Sequence, residues 1–96
     1  MVRSDLPRGL QAANIIHAAG ESSPGNLAHG THAVCLTVPN EAALVEVADR
    51  LGAAGVPFVS IIESDAPYTD SLMAIGCVPA GKEVLKRCLS ALPLLR

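Results

Sequence analysis

Four polar residues have side chains suited to orienting water or a hydroxyl group, and they fall in two short segments. Asp65 precedes an Ala-Pro pair in a tight loop, where a carboxylate can position and activate a water molecule. Thr69 follows four residues later. Asn14 and His17 are three residues apart in a helical segment, which places both on one helix face. These four residues are the candidates for a hydrolytic site.

Three of these residues also have a purely structural interpretation. Asp65 can be a turn carboxylate that accepts hydrogen bonds from its own backbone, and Thr69 can be a turn hydroxyl. His17 can be a partly buried helix histidine that is bonded to a carbonyl oxygen. The residue types leave both interpretations open, so the position of each residue in the fold has to decide between them.

Other reactive side chains do not form a recognisable site. His29, His32 and Cys35 have the spacing H-x2-H-x2-C, which is not a compact zinc pattern, and no fourth ligand is near, so we expect no metal or other cofactor. The segment 9–12 lacks the glycine spacing and the Lys-Ser/Thr pair of a phosphate loop. Cys35 has no base beside it in the sequence, which argues against a thiol nucleophile.

The composition predicts one small domain over residues 1–96 that pairs with a second copy. A chain of this length holds a single core, yet 50% of its residues are hydrophobic and its mean hydropathy is +0.40. Only Phe58 and Tyr68 are aromatic, so aliphatic residues build the core. The apolar excess over so small an interior predicts a homodimer.

Several features indicate a cytoplasmic protein without a membrane segment. No apolar run approaches the ~18 residues that span a bilayer, and the first residues lack the apolar stretch of a secretory signal. The three scattered cysteines are typical of reduced thiols. The net charge of −2 excludes a broad basic face, although Lys82, Lys86 and Arg87 leave room for a local basic patch.

Periodicity and turn signals predict an α/β domain with the order β-α-β-α-β-β-α. Right-handed crossovers make the first three strands parallel, and the short 64–70 connection makes the fourth antiparallel. The result is a mixed four-stranded sheet flanked by helices. The strand at 32–38 has two apolar faces and is expected to be central, and Gly20 is expected to end the first helix. The remaining predicted elements are a strand stub at 1–4, helices from 9 to 19, after Asn40 and after Gly81, and strands at 57–63 and 71–77.

The predicted topology brings the candidate residues together. In open α/β sheets, ligands bind beyond the carboxyl ends of parallel strands. The first strand ends near Asp5 and the third ends near Glu63. We therefore expect the segments 5–14 and 63–69 to converge on one cleft.

The same segments carry a family resemblance. In order and spacing they are similar to the type II peptidyl-tRNA hydrolases, whose R-x-D-L stretch precedes a helix reading A-A-Q-x-x-H-A and whose later motifs are V-P-(S/D)-E, a strand–Asp-Ala–Thr loop and A-I-G. The resemblance covers about nine-tenths of the chain. The segments that carry it are Arg3–Leu6, Ala12–Ala19, Val38–Glu41, Ala53–Pro57, Ile62–Thr69 and Ala74–Gly76.

The resemblance implies a cofactor-free hydrolase that cleaves the ester between a peptide and tRNA and is often dimeric. By position, Asp65 matches the loop aspartate implicated in catalysis, Thr69 the nearby threonine and His17 the helix histidine. Asn14 stands where the family has glutamine. Substrate phosphate would be held by Arg8, with Gln11 as the second polar neighbour.

Three departures from the family pattern open an alternative. Leu10 stands where the family has its helix-entry lysine, the first strand lacks most of its residues, and the loop between Asp65 and Ser71 is shorter. Loss of a cation aimed at phosphate or an oxyanion costs a few kcal/mol of transition-state stabilisation. The alternative is therefore a non-catalytic module that keeps the fold and binds tRNA or a protein. A dimeric structural domain without a retained site is the third interpretation.

Overall fold

In the computed structural model, which describes residues 1–96, four strands and three helices follow one another in the predicted order β-α-β-α-β-β-α. None of the helices has the length and apolar character needed to span a bilayer. The elements are β1 (Val2–Arg3), α1 (Arg8–Ser22), β2 (Thr37–Val38), α2 (Glu41–Ala53), β3 (Phe58–Ile62), β4 (Leu72–Cys77) and α3 (Lys82–Leu89).

The strands form one mixed sheet with the order β2-β1-β4-β3. β1 runs parallel to β2, and β4 runs antiparallel to both β1 and β3. The first three strands therefore point the same way and the fourth opposes them, as the connection lengths predict. The carboxyl ends of β1 and β3 lie at one edge of the sheet, on either side of the start of β4.

The prediction of a central strand at 32–38 is wrong. Only Thr37 and Val38 form a strand, and β2 lies at the edge of the sheet. Val34 is 63% exposed, so the apolar run marks a surface and not an interior. The central place next to β1 belongs to β4, whose residues from Leu72 to Gly76 are all buried. The outer edge of β2 instead pairs with 93–95, where Thr37 donates to Pro93 O at 2.9 Å and Leu95 donates to Cys35 O at 3.0 Å.

Helix α1 is longer than the sequence predicts. Gly20 does not end it, because its backbone stays helical and the helix continues to Ser22. The Ser22 hydroxyl donates to Ala18 O at 2.7 Å, and the backbone N–H of Ser23 donates to Ala19 O at 3.1 Å. These bonds satisfy carbonyl groups that a helix ending at Gly20 would leave free.

Helix α2 begins and ends where its sequence signals are. The Asn40 side chain accepts a hydrogen bond from the backbone N–H of Ala43 at 3.0 Å, which is an N-cap. Leu44, Val47 and Leu51 recur on one face and are buried to within 1% exposure. Gly55, with φ +71°, supplies the left-handed residue that turns the chain toward β3.

The helices cover both faces of the sheet. α1 lies on one face, where Ala18 packs with Val2, Ile61 and Ala74. α2 and α3 lie on the other, over a cluster that includes Ile75. At the crossing of α1 and β4 the backbones almost touch, since a Cβ atom on Gly76 would overlap the carbonyl group of Ala18. The sheet is thus the middle layer of three.

Candidate functional site

A polar cleft of about 430 Å³ lies between α1 and the carboxyl end of β3. α1 packs against β3 and β4, which turns the helix face with Asn14 and His17 toward the end of β3. The polar residues that line the cleft are Asn14, His17, Glu21, Ser60, Glu63 and Ser64.

The two helix residues differ in their exposure. Asn14 is 5% exposed, and its amide donates to Leu10 O at 2.9 Å, one turn earlier in the helix. This bond uses one of the two amide protons and leaves the other for the cleft. His17 is exposed and lies one turn before Glu21. The imidazole is therefore accessible to a ligand in the cleft.

The loop after β3 is held by its own backbone and by Glu63. The Glu63 carboxylate accepts hydrogen bonds from the N–H groups of Ser64, at 2.9 Å, and Asp65, at 3.1 Å. Asp70 has φ +63°, and its backbone N–H donates to Glu63 O at 2.8 Å, which closes the loop. Asp65 and Thr69 are both exposed, but neither lines the cleft between α1 and β3. The structure therefore joins Asn14 and His17 to Glu63 and Ser64, and leaves Asp65 one residue outside the lining.

Arg3 is the residue at this edge of the sheet whose role the sequence analysis missed. It is 8% exposed, and its guanidinium donates to both carboxylate oxygens of Asp5, at 2.9 and 3.0 Å. A third bond runs to Leu72 O at 3.2 Å, and the guanidinium carbon lies 6.0 Å from the centre of the Tyr68 ring. The signal was the pair of opposite charges two residues apart, which the turn at 4–5 after β1 brings into contact.

The ion pair shifts the pKa values of both Arg3 and Asp5. Its hydrogen bonds hold the pKa of the Asp5 carboxyl below its ordinary value and raise the pKa of Arg3, so both groups stay charged. Arg3 links the end of β1, the start of β4 and the loop of Tyr68, because it contacts Asp5, Leu72 O and the Tyr68 ring. Glu41 of α2 also holds the start of β4, because its carboxylate accepts the N–H of Leu72 at 2.6 Å.

The predicted phosphate-binding residues lie on the first turns of α1. Gln11 is buried and its amide nitrogen donates to Leu6 O at 2.7 Å and Ser4 O at 3.3 Å, so both amide protons are used. Gln11 is placed to hold the loop before α1 and has no free proton for phosphate. Arg8 is exposed and donates to Arg96 O at 3.3 Å. Leu10 is half-buried against the cluster beneath α1.

The arrangement supplies an imidazole, an amide, two hydroxyls and two carboxylates around one cleft. Such a set can orient a water molecule, accept its proton and donate to a polar substrate. No group of three His, Cys, Asp or Glu side chains is arranged to hold a metal ion.

Comparison of the chain with models of known protein families gives no match, and comparison with curated protein sequences gives none either.

Proposed function

We propose that this chain hydrolyses the ester bond between a peptide and tRNA. The observation that carries the proposal is the position of Asn14 and His17, which face the carboxyl end of β3 across one cleft. The loop with Asp65 and Thr69 leaves from that same strand end. The resemblance to the type II peptidyl-tRNA hydrolases assigns roles to these four residues.

In the proposed reaction, water attacks the ester carbonyl carbon, and the ribose hydroxyl of tRNA leaves. Asp65 orients the water and takes its proton, which then passes to the departing ribose oxygen, so that tRNA leaves with a free hydroxyl and the peptide with a carboxyl group. The second amide proton of Asn14 and the Thr69 hydroxyl donate to the negatively charged carbonyl oxygen that forms. His17 moves a proton or orders the cleft, and Arg8 holds substrate phosphate. Asp65 and Thr69 reach the substrate from the exposed loop that borders the cleft.

The second candidate is a module that binds tRNA or a protein without cleaving anything. Leu10 favours it, because an aliphatic side chain occupies the place of the family's lysine. The engaged amide of Gln11 favours it as well, since it leaves Arg8 as the one polar group at the helix entry with free donors. Such a module would bind the phosphate backbone weakly, given the net charge of −2.

Release of labelled peptide from peptidyl-tRNA tests the two candidates. The wild-type chain is compared with Asp65→Ala and with Asp49→Ala, which removes an exposed carboxylate from α2 and serves as the matched control. We expect Asp65→Ala to abolish release with an unchanged melting temperature, and Asp49→Ala to leave both unchanged. Unchanged release by Asp65→Ala would remove that residue from the mechanism. Wild-type protein that binds tRNA and never cleaves would establish the binding module.

The proposal includes a cytoplasmic location and a homodimer. The apolar composition supports the homodimer. Exposed apolar side chains such as Ile16, 72% exposed, and Ile62, 53% exposed, add area for an interface. Light scattering at tens of micromolar tests it, a range that interfaces of modest size reach. A strict monomer there contradicts the dimer and leaves the hydrolytic proposal intact.

A further inference from the structure

The outer edge of β3 is free along its whole length. β3 is the last strand in the order β2-β1-β4-β3, and its five residues, Phe58–Ile62, include no charged residue and no proline. Edge strands that stay unpaired commonly carry a lysine, a proline or a bulge. The bulge between β3 and β4 has its extra residue, Met73, in β4, so β3 itself is regular. β3 can therefore pair with a further strand.

The direction of each peptide group in β3 follows from its bonds to β4. Pro57 O and Glu63 N–H, just outside the two ends of the strand, form hydrogen bonds of 3.1 and 3.0 Å on the β4 side. Peptide groups alternate in direction along a strand, so the N–H and C=O groups of Ser60 and Ile62 face the free edge. Ser60 is exposed, and Ile62 is 53% exposed. These groups form a row of backbone donors and acceptors that no other strand of the sheet uses.

The polar cleft runs along this edge. The consecutive residues 60–64 form one wall, and Asn14, His17 and Glu21 of α1 form the other. Only two of the eight lining residues are hydrophobic. Permanent subunit interfaces are more apolar than this. The lining therefore favours a ligand that binds and leaves over a second copy of the chain.

We propose that the free edge of β3 binds the peptide part of the substrate as an added strand, an inference that rests on the proposed hydrolysis of peptidyl-tRNA. Asp65 and Thr69 follow the carboxyl end of β3, and the ester is at the carboxyl end of the peptide. The peptide therefore runs parallel to β3. An antiparallel peptide would carry its ester to the Phe58 end, away from that loop.

The bonds of a parallel pair set the register. One residue of a parallel strand bonds two residues of its neighbour that are two apart. The third-last residue of the peptide donates to Ser60 O and accepts the N–H of Ile62, and the last residue donates to Ile62 O. The next donor, the N–H of Ser64, is engaged by the Glu63 carboxylate at 2.9 Å. The ester carbonyl is thus left out of the ladder and stays available to the proposed oxyanion donors.

This mode of binding selects peptides by their backbone and their length. The side chains of the last and third-last residues lie on the face of β3 that carries Ile61, which packs under α1. The side chains between them lie on the face of Ile62, which is open to solvent. Main-chain bonds impose no side-chain requirement, so the site accepts peptides of diverse sequence.

Release from tRNAs that carry different peptides tests the proposal. An acetyl-alanyl group forms one bond of the ladder and an acetyl-pentaalanyl group about five. Because one main-chain bond is worth about 2–10-fold, we expect kcat/KM to be at least about tenfold higher for the longer peptide. Methylation of the third-last nitrogen removes the donor to Ser60 O and should lower kcat/KM by at least about threefold.

The matched control is methylation of the fourth-last nitrogen, which faces away from β3 and should leave kcat/KM unchanged. Equal rates for the short and the long peptide, or equal effects of the two methylations, would overturn the strand pairing and leave the hydrolysis intact.

A variant of β3 tests the same ladder from the protein side. Ser60→Pro removes an N–H from the free edge and no bond to β4, which is where a strand tolerates proline. We expect its loss of kcat/KM to be at least about threefold larger for the acetyl-pentaalanyl substrate than for the acetyl-alanyl one. Misfolding would lower both equally. A dimer that Ser60→Pro dissociates would give the edge to a second copy and overturn the proposal.

A stable analogue separates binding from hydrolysis. In it an amide joins acetyl-pentaalanine to the ribose of adenosine. Hydrogen exchange at the N–H groups of Ser60 and Ile62 should slow when the analogue is bound, because both groups then donate to the peptide. If the chain releases no peptide from any substrate, the hydrolysis fails, and slowed exchange at these two groups still supports the strand pairing. Unchanged exchange at both would overturn it.

Discussion

The guanidinium of Arg3 holds both carboxylate oxygens of Asp5, at 2.9 and 3.0 Å, and fastens the edge of the sheet where the candidate site lies. A planar two-pronged contact of this kind fixes direction as well as distance. Because Arg3 also donates to Leu72 O, the pair connects the end of β1 with the start of β4. The loop between β3 and β4 therefore ends on a fixed frame, and its Tyr68 ring lies over Arg3.

The Asp5 carboxyl makes the stability of the fold depend on pH. Its pKa is lowered by the hydrogen bonds from Arg3, so the unfolded chain binds this proton more readily than the folded chain. The stabilisation is present above the ordinary value of about 3.9 and is lost as pH falls through the folded value. We expect the difference in unfolding free energy between wild type and Asp5→Asn, from urea titrations, to shrink as pH falls below about 4. A difference for Asp5→Asn that stays constant over this pH range would contradict the pairing.

The close crossing of α1 and β4 makes Gly76 sensitive to a single methyl group. A Cβ atom there would overlap Ala18 O and press on the hydroxyl of Ser22. We expect Gly76→Ala to lower the unfolding free energy by about 1–3 kcal/mol. The control is Gly20→Ala in α1, where a Cβ atom meets nothing within 4 Å. Stability should rise there by about 0.5–1 kcal/mol, because alanine favours a helix over glycine. Equal effects of the two substitutions in denaturant titrations would refute the contact.

The N-cap of α2 should be worth a measurable share of stability. The Asn40 side chain accepts the N–H of Ala43, so Asn40→Ala leaves that donor without its protein partner. We expect a loss of about 1 kcal/mol by thermal or urea unfolding, and near-full retention in Asn40→Asp, whose carboxylate also favours a helix amino terminus. If Asn40→Asp lost as much as Asn40→Ala, the cap would not be the cause.

The sequence predicts the local features of this fold well because they depend on nearby residues. Helix α2 follows from Asn40 and the buried spacing of Leu44, Val47 and Leu51, and the antiparallel β4 follows from a connection too short for a crossover. The strand at 32–38 was misplaced because its environment is set from far away. The tail at 93–95 occupies its outer edge, and no periodicity in the strand itself encodes that pairing.

The candidate site likewise has one part that the sequence predicts and one part that it does not. The helix face with Asn14 and His17 follows from their spacing, and the topology correctly directs it toward the end of β3. The direction of a side chain in a short loop depends on hydrogen bonds such as those of Glu63, which the residue types do not specify. Asp65 and Thr69 thus stay predictions. The pairing of Arg3 with Asp5 joins opposite charges that are close in the sequence, so the residue types were visible there, whereas the turn at 4–5 that brings them together was not.

The proposed hydrolysis makes a demanding prediction at Leu10. This residue lies on the first turns of α1, half-buried against the cluster of Val2, Leu6 and Ile61, where the family that the sequence resembles has a lysine. A lysine there can keep its aliphatic stem on the cluster and extend its ammonium group past it into solvent. The added charge would lie at the same end of α1 as Arg8, the residue assigned to phosphate.

We therefore expect Leu10→Lys to accelerate release of peptide from peptidyl-tRNA by at least about tenfold, since the added cation would lie near Arg8 and a hydrogen bond to a charged group such as phosphate is worth about 1.5–3 kcal/mol. Leu10→Gln has a similar length without the charge and is the matched control, and circular dichroism checks that both variants fold. If the gain belongs to the cation, it appears with Lys alone and decreases as salt screens the new charge. Equal rates for Leu10→Lys and Leu10→Gln would show that a missing cation does not limit the rate of release. In that case Gln11, the other polar residue predicted to bind phosphate at the helix entry, becomes the next position to change.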